Sequence, residues 1–287
     1  MPEDEDNDEN NGENNNDDSP ATTYVEVSSG GEHNCALDSD NQIECWGDNN
    51  DGQADAPDGE FIAVSAGSSH SCAIDNENTL TCWGADGFEQ ATDIPEEQYK
   101  AVSAGQFHTC ALTLDDHAVC WGFDLVDDRT DAPEGEFMNI STGGAHSCAV
   151  DVDDGIQCWG DDQAGQSSGH PDEDFVQVSA GIWHSCGISG DDEAFCWGED
   201  DDGQSSAPNG SFETVSAGTE FSCAVSMTEG ELDCWGDDEF DQVTDTPDGE
   251  YTTVSAGGGH ACAIDANDGN IECWGQDNAG QAQGLTP

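Results

Sequence analysis

Histidine and cysteine recur along this chain at fixed spacing, and both residue types are zinc ligands. Six histidines stand in the pattern His-x-Cys, and a second cysteine follows ten or eleven residues after the first. The six are His33, His70, His108, His146, His184 and His260. On a β-strand, residues two positions apart point to the same face, so each copy of the pattern offers three candidate ligands. No fourth ligand recurs, and Phe221 replaces the histidine in one copy.

We therefore interpret these histidines as structural residues that cap a turn by hydrogen bonding to the backbone. No bound metal or other cofactor is expected. Acidic runs such as Asp48–Asp51 and Asp200–Asp202 lack the ligand spacing of an EF-hand. They are interpreted as solvated turns that bind monovalent or divalent cations weakly in high salt.

Fourteen cysteines divide into seven pairs, one for each copy of the pattern, and none is left over. Even, regular pairing predicts disulfides formed in an oxidising compartment. We interpret the pairs as structural, because a redox-active pair would not be needed in every copy. The predicted bridges are Cys35–Cys45, Cys72–Cys82, Cys110–Cys120, Cys148–Cys158, Cys186–Cys196, Cys223–Cys234 and Cys262–Cys273.

Motifs for catalysis are missing from the sequence. It contains no Gly-x-Ser-x-Gly, no phosphate-binding loop and no dinucleotide fingerprint. Paired carboxylates say nothing about hydrolysis in a chain that has 65 Asp and Glu residues. We expect that the protein is not an enzyme.

The charge of the chain is extreme. Only Lys100 and Arg129 are basic, so the formal net charge is −63. This excess of acid excludes binding to nucleic-acid phosphates and disfavours an anionic membrane surface. No apolar stretch approaches the roughly 20 residues of a membrane span. Carboxylates at this density look like adaptation to a halophilic environment, because molar salt shortens the Debye length to roughly 3 Å and removes the repulsion.

The phrase Cys-Trp-Gly marks a repeat of 37 to 39 residues. Its tryptophans are Trp46, Trp83, Trp121, Trp159, Trp197, Trp235 and Trp274. A period this regular describes one supersecondary unit copied seven times. In the second copy, alternating residues predict strands at 61–67, 70–75 and 80–83, and a looser segment ending near Pro95 predicts a short fourth strand.

Four short strands in each of seven copies predict an all-β fold, a seven-bladed β-propeller of four-stranded antiparallel blades with one disulfide per blade. Residues 1–20 are expected to be a disordered acidic leader without a visible export signal, compatible with an earlier signal having been removed. Residues 21–287 are expected to form the propeller. Its repeats run over about 24–60, 61–98, 99–136, 137–174, 175–211, 212–250 and 251–287.

Side-chain alternation predicts how the blades pack. Cys72 and Cys82 face each other across a hairpin, and Trp83 points to the opposite face of the sheet, against the neighbouring blade and its disulfide. We expect the first and last blades to close mainly by packing, without a shared strand.

Two linked motifs resemble the regulator-of-chromosome-condensation repeat family. They are Gly67-Ser-Ser-His-Ser-Cys-Ala-Ile and Cys45-Trp-Gly-Asp-Asn-Asn-Asp-Gly-Gln53. The resemblance covers about residues 24–287 and is closest to compact bacterial members of the β-lactamase inhibitory protein-II type. It implies a protein–protein interaction through one propeller face. Copy three departs from the motif, since it lacks Gly-Gln and reads Trp121-Gly-Phe-Asp-Leu-Val-Asp-Asp-Arg129.

Variation between copies indicates where a partner binds. The Gly-x-x-His turns and the loops after Cys-Trp-Gly emerge on one propeller face, and apolar residues interrupt both in some copies. The candidate interface consists of Phe88, Phe107, Phe123, Leu125, Val126, Ile182, Trp183, Phe221 and Phe240. The opposite interpretation is that some of these side chains fold inward. The other face is expected to be almost wholly acidic.

The sequence as a whole favours a non-enzymatic protein–protein interaction module, extracellular or displayed on the surface of a halophile, with a protein partner of unknown identity. Two alternatives remain open: a glycan-binding or glycan-cleaving propeller, and a structural component of a cell-surface or virion assembly. Asn209-Gly-Ser211 predicts an exposed glycosylation site, whereas the sequon Asn139-Ile-Ser141 falls in an inner strand.

The net charge of −63 predicts that salt stabilises the fold. Raising KCl from about 0.1 M to about 2 M should raise the melting temperature steeply, because screening removes the repulsion between carboxylates. Circular dichroism across a KCl series measures this. A melting temperature that is flat or falls with salt would contradict the halophilic interpretation.

Overall fold

A computed structural model describes residues 22–124 and 129–285 as seven antiparallel sheets, each built from three consecutive strands. The predicted leader, residues 1–20, lies outside these ranges. The first strands are β1 (Tyr24–Ser29), β4 (Phe61–Ala66), β7 (Tyr99–Ala104), β10 (Phe137–Thr142), β13 (Phe175–Ala180), β16 (Phe212–Ala217) and β19 (Tyr251–Ala256). The second strands are β2 (His33–Asp38), β5 (His70–Asp75), β8 (His108–Thr113), β11 (His146–Asp151), β14 (His184–Ser189), β17 (Phe221–Ser226) and β20 (His260–Asp265). The third strands are β3 (Ile43–Gly47), β6 (Leu80–Gly84), β9 (Ala118–Gly122), β12 (Ile156–Gly160), β15 (Ala194–Gly198), β18 (Leu232–Gly236) and β21 (Ile271–Gly275).

The prediction of a fourth strand is wrong, because each described blade has three strands. After Cys-Trp-Gly the chain folds into a turn held by its own side chains. In the first blade Gln53 Nε2 donates to Asp48 Oδ2 at 2.7 Å, and Gln53 Oε1 accepts the Asp51 amide at 2.9 Å. Asn49 Oδ1 accepts the Ala54 amide at 3.0 Å. These local bonds use amides that a strand would offer to a neighbour.

All seven predicted disulfides are formed, one in each blade. In every blade the two cysteines are direct partners across the second and third strands, as Cys72 and Cys82 are. Each bridge therefore locks one hairpin, and none joins two blades.

Tryptophan packs each blade onto the one before it, as predicted. Trp83 lies in a cluster with Cys35 and Cys45 of the preceding blade. Its indole Nε1 donates to the Gln53 carbonyl at 2.9 Å. The same kind of cluster closes the ring, because Trp46 of the first blade packs against Cys262 and Cys273 of the last. No strand is shared between these two blades in the part of the chain that is described.

Hydrogen bonds between blades supplement this packing along the inner strands. Gly31 donates its amide to the Gly67 carbonyl at 3.1 Å, and equivalent bonds continue to Gly258, which donates to Gly30 at 3.0 Å and completes the circle. A Cβ on Gly30 would lie 2.2 Å from the Gly67 oxygen, so glycine is required for this approach. A second circle of hydrogen bonds involves serine side chains. In each bond a serine hydroxyl accepts an inner-strand amide of the next blade, as Ser28 Oγ accepts the Ala66 amide.

The hairpin tips form a third circle on the opposite side. Asn78 has φ 64°, a left-handed conformation that Asn and Asp tolerate better than most residues. Its carbonyl accepts the amide of Tyr99, the first residue of the next blade, at 3.0 Å. Copies six and seven have one more residue between their cysteines, and Gly230 and Gly269 take over this role there.

The repeated histidines connect blades rather than cap their own turns, so that detail of the prediction is wrong. His33 Nε2 lies 2.8 Å from Ser71 Oγ of the next blade. Because the Ser71 hydroxyl donates to the Gln53 carbonyl, its oxygen accepts from His33 Nε2–H. Five further pairs repeat the contact. Where Phe221 replaces histidine, Ala261 replaces the hydroxyl residue, and the two share one apolar cluster.

The pKa values of the six buried histidines are all shifted in the same direction. Burial lowers the pKa of each ring, to about 4 for His33, His70 and His146 and to about 3 for His184 and His260, and it lowers the pKa of His108 as well. The unfolded chain, with ordinary histidine pKa values near 6.5, therefore binds more protons than the folded chain below that pH. The stability that these rings contribute is complete above about pH 6.5 and is lost as the pH falls toward 4. Burial raises the pKa of Glu26 to about 7, and the pKa of Glu220 is raised as well, so these two carboxyls act in the opposite direction.

We predict that acid destabilises the fold through these rings. Between pH 7 and pH 5 each histidine should cost up to about 1–2 kcal/mol of unfolding free energy. Guanidinium titrations at constant molar salt measure this, since screening suppresses the opposing effect of the surface carboxylates. His184→Gln keeps a group that can hydrogen-bond to Ser222 and removes one titrating ring. Its stability should fall less between these pH values than that of the wild type, and equal losses would refute the assignment.

Candidate protein-binding face

The Gly-x-x-His turns and the loops after Cys-Trp-Gly lie side by side on one face of the propeller, which we call the turn face. In the third blade the Phe123 amide donates to the Phe107 carbonyl at 2.9 Å, joining the loop to the turn. The equivalent bond joins Asp48 to Glu32 in the first blade, and the fifth blade repeats it. Residues that vary in either loop are thus presented together.

Three phenylalanines form a cluster on this face. Phe88 comes from the second blade, and Phe107 and Phe123 come from the third. The ring centroid of Phe88 lies 5.3 Å from that of Phe107 and 4.7 Å from that of Phe123, both in edge-on geometry. Phe88 keeps 42% of its surface exposed. The cluster therefore joins two blades while presenting an aromatic surface to solvent.

Arg129 packs under this cluster. It occupies the loop position that Gln53 holds in the first blade, and its carbonyl accepts Trp159 Nε1 at 3.0 Å as the glutamine carbonyls do for other tryptophans. Its side chain is buried, with Cζ 5.0 Å from the ring centroid of Phe123. The loss of Gly-Gln in copy three thus replaces a neutral loop residue by a cation under an aromatic ring.

Small residues surround an axial cavity of about 90 Å³ on this side of the ring. Gln106, Ile182 and Thr219 line it among glycines and alanines. Ile182 therefore faces the axis, whereas the neighbouring Trp183 is 39% exposed. The phenylalanine cluster, the axial rim and Trp183 thus belong to the same face.

An acidic sector borders these residues on blades five and six. Glu220 has a raised pKa, caused first by burial and then by the nearby charges of Asp237, Asp202, Glu199 and Glu239. Glu220 is exposed, and repulsion from these neighbouring carboxylates disfavours its charged form. The turn face thus presents aromatic rings on one side and concentrated negative charge on the other.

The remaining predicted interface residues lie in different environments. Phe221 is fully buried, so its prediction as an interface residue is wrong, because the ring fills the space left by the missing histidine and the small Ala261. Phe240 is exposed and lies over Gly259 of the next blade, where a Cβ would meet its ring at 2.8 Å. Leu125 and Val126 fall outside the described residues.

The opposite face, which carries the hairpin tips and which we call the hairpin face, is not almost wholly acidic, and that prediction is wrong. Seven large aliphatic side chains are exposed there, each next to the start of a first strand or the end of a second. They are Val25, Ile62, Leu114, Met138, Val152, Val176 and Met227. In the sequence these residues are marked only by their recurrence at two equivalent strand positions. This is a weaker indication of an exposed site than an aromatic residue in a loop.

No zinc arrangement is formed at the His-x-Cys positions. Both cysteines of each blade are joined in a disulfide, and each histidine Nε2 lies against a neighbouring side chain. Within residues 22–124 and 129–285, no group of three or more His, Cys, Asp or Glu residues is arranged to hold a metal ion. No helix in those ranges is long and apolar enough to cross a membrane.

The two sequons also differ in structure. Asn139 Oδ1 accepts the Val178 amide at 3.1 Å, so its amide group is engaged between two blades. Asn209 is exposed in the loop that precedes the sixth blade.

A family model for the regulator of chromosome condensation (RCC1) repeat matches four segments of the chain, residues 24–53, 61–90, 99–124 and 175–204. Among curated proteins, none matches the chain. The expected closeness to the β-lactamase inhibitory protein-II type stays a prediction.

Solved structures share the fold. The ectodomain of the receptor kinase CR4 from Physcomitrella patens is 24% identical with a TM-score of 0.76, over 88% of this chain and 74% of that one. The CRINKLY WD40 ectodomain of the Arabidopsis thaliana receptor kinase ACR4 is 22% identical with a TM-score of 0.76, over 91% and 98% of the two chains. Prp20p from Saccharomyces cerevisiae is 18% identical with a TM-score of 0.69, over 82% and 80%.

The exposure of Phe88 predicts that it contributes little to folding. Phe88→Ala should lower the unfolding free energy by about 1 kcal/mol or less, whereas Phe221→Ala should cost about 3–5 kcal/mol, because only the second leaves a cavity in the core. Denaturant titrations of both variants in molar salt provide the comparison. A loss at Phe88 as large as that at Phe221 would mean that the phenylalanine cluster is structural.

Proposed function

We infer that this chain, an RCC1-like repeat propeller, is a non-enzymatic protein-binding module that holds its partner on the turn face. The observation that carries the proposal is the cluster of Phe88, Phe107 and Phe123, assembled from separate loops of two blades, in which Phe88 is exposed and the other two rings are half-buried. Exposed aromatic clusters on an otherwise polar surface are typical of interfaces.

The position of these side chains supports binding rather than folding. Every blade already has its tryptophan, disulfide and inter-blade hydrogen bonds without them, so the ring does not need an aromatic residue at these loop positions. Copies with glycine or serine there, such as Ser68-Ser69 in the second blade, form the same turn. Trp183 adds a large side chain of the type that dominates binding energy in protein interfaces.

The similar structures also support this proposal. Prp20p was described with its binding properties to Gsp1p and histones, so a propeller of this repeat type does bind proteins. The acidic surface and the aromatic loops of this chain are its own, and its partner is expected to meet those features. The acidic sector beside Glu220 favours a partner with basic residues around an apolar centre.

We place this activity outside the cell, in a halophilic setting. Seven disulfides need an oxidising compartment, and two of the similar structures are receptor ectodomains. The net charge of −63 suits molar salt. Asn209 is exposed at its sequon and is proposed to carry a glycan where the export route glycosylates such sites.

The test compares variants of the turn face as bait in molar salt, with bound proteins identified by mass spectrometry and their affinities measured by calorimetry. Trp183→Ala and Phe107→Ala should each weaken binding by about 2 kcal/mol, roughly 30-fold, because each removes an aromatic anchor. Thr81→Ala, on an exposed outer strand away from both faces, is the matched control.

Unchanged affinity in both aromatic variants would show that the partner binds elsewhere. Recovery of a polysaccharide rather than a protein, with the same dependence on Trp183, would replace the proposal by the glycan-binding alternative.

A further inference from the structure

The aliphatic side chains of the hairpin face follow a positional rule. The second residue of the first strand is exposed in every described blade and lies beside a bulge, as Val25 does between Tyr24 and Glu26. In order around the ring these residues are Val25, Ile62, Lys100, Met138, Val176, Glu213 and Thr252. Four of the seven are aliphatic in a chain with a formal charge of −63, so this face joins apolar groups to an acidic surround.

The third blade shows how a cation occupies this surface. Lys100 takes the place of the aliphatic residue, and its Nζ forms an ion pair with Asp116 at the hairpin tip of the same blade. It also lies 3.5 Å from the Phe137 carbonyl of the next blade. The chain thus contains one example of an ammonium group seated against the hairpin-tip carboxylate.

The next two blades keep the carboxylate but lack the cation. Asp154 and Asp192 stand at the tip position of Asp116, with the same positive φ. Met138 and Val176 stand at the position of Lys100 and are 50% and 55% exposed. Within the described chain neither tip carboxylate accepts a side-chain hydrogen bond, so both carry charge beside an apolar group without a local cation.

Two further aliphatic residues extend this patch. Val152 follows the second strand of the fourth blade, and its amide donates to the Glu136 carbonyl at 3.1 Å, beside the start of β10. Leu114 holds the equivalent place in the third blade, with its amide bonded to the Gln98 carbonyl at 3.1 Å. Four exposed aliphatic residues thus occupy two equivalent positions at the same end of three consecutive blades, and we call them the hairpin patch: Leu114, Met138, Val152 and Val176.

We propose that the hairpin patch is a second docking surface, separate from the turn face, and that it binds an extended cationic segment in which lysine or arginine alternates with aliphatic residues. The cations would pair with Asp154 and Asp192 as Lys100 pairs with Asp116. The aliphatic side chains of the segment would cover those of the hairpin patch.

Charge complementarity selects this occupant. A second copy of the chain would bring its own carboxylates against the tip carboxylates, because the chain has only two Lys and Arg residues for 65 Asp and Glu residues. An anionic lipid surface would meet the same repulsion. A cationic segment neutralises the tip carboxylates, and its aliphatic groups keep their contribution in molar salt, where charge pairing alone is screened.

The first blade supplies a matched control. Val25 occupies the same strand position and is 59% exposed, but the tip residue of its blade is the neutral Asn41. Val25 therefore has the same backbone setting as Met138 and Val176 but lacks a carboxylate at the hairpin tip, so the proposal predicts that it does not contribute to binding.

The experiment uses the full chain and a fluorescein-labelled peptide of alternating lysine and leucine, with a peptide of alternating lysine and serine for comparison. Anisotropy titrations at about 0.2 M and about 2 M KCl compare weaker with stronger screening. The lysine–leucine peptide should bind at both salt concentrations, and the lysine–serine peptide only at the lower one.

At the higher salt concentration Met138→Ser with Val176→Ser should weaken binding of the lysine–leucine peptide by about tenfold or more, since apolar contact is lost. At the lower salt concentration, where charge pairing is less screened, Asp154→Asn with Asp192→Asn should weaken binding of the same peptide. Val25→Ser should leave its binding unchanged at both salt concentrations. Circular dichroism confirms that each surface variant keeps its fold.

Three results would overturn the proposal. One is equal behaviour of the two peptides at both salt concentrations, which indicates attraction to the acidic chain as a whole. The second is an equal loss in Val25→Ser. The third is sedimentation equilibrium in molar salt that shows self-association abolished by Met138→Ser with Val176→Ser, which makes a second copy the occupant. None of these outcomes bears on the turn face, whose variants Trp183→Ala and Phe107→Ala are tested separately.

Discussion

The contact between a tryptophan and the disulfide of the preceding blade is the one on which the ring depends. Trp83 covers Cys35 and Cys45, and Trp46 covers Cys262 and Cys273, so the contact between the last and first blades is of the same kind as the others. A three-stranded sheet alone buries little apolar surface, and stacking gives each sheet two covered faces. The disulfide makes this possible by fixing a small apolar surface opposite each indole.

The remaining inter-blade bonds follow from this stacking. Inner strands approach so closely at the axis that Gly30 and Gly67 bring backbone against backbone. The amides there find carbonyl acceptors in the next blade or serine acceptors in the preceding one. The histidine contacts work in the same way, since His33 reaches Ser71 across the boundary. At one boundary both partners change together, as Phe221 and Ala261 demonstrate. At the boundary between the last and first blades only one changes, since His260 is kept and contacts Asn34 in place of a hydroxyl residue.

Much of this architecture was predictable from the sequence. Strict spacing of Cys and Trp indicated the number of blades, the disulfide partners and the side of the sheet that each tryptophan covers. The absence of a fourth strand from the described blades was not predictable, because Gln53 and Asp48 hold the loop through side-chain bonds that leave no periodic pattern. The role of His33 was hidden for a related reason: its partner Ser71 belongs to the next copy, which a pattern within one copy cannot reveal.

The candidate sites were harder to predict, since they depend on exposure. Phe107 and Phe221 occupy nearly equivalent turns in the sequence, yet Phe107 joins an aromatic cluster on the turn face and Phe221 lies in the core. The difference is a single position, because Phe221 stands where histidine points inward and Phe107 stands one residue before it. The exposure of Met138 and Val176 was not predictable either, because an alternating β-strand pattern contains such aliphatic residues whether or not they are exposed.

The confinement of every disulfide to one hairpin has a mechanical consequence. No disulfide of the described chain crosses a blade boundary, so a force that pulls the first and last blades apart acts on a junction that only packing and hydrogen bonds hold. Once that junction opens, we expect the blades to separate one after another, and each would keep a hairpin that its disulfide prevents from extending.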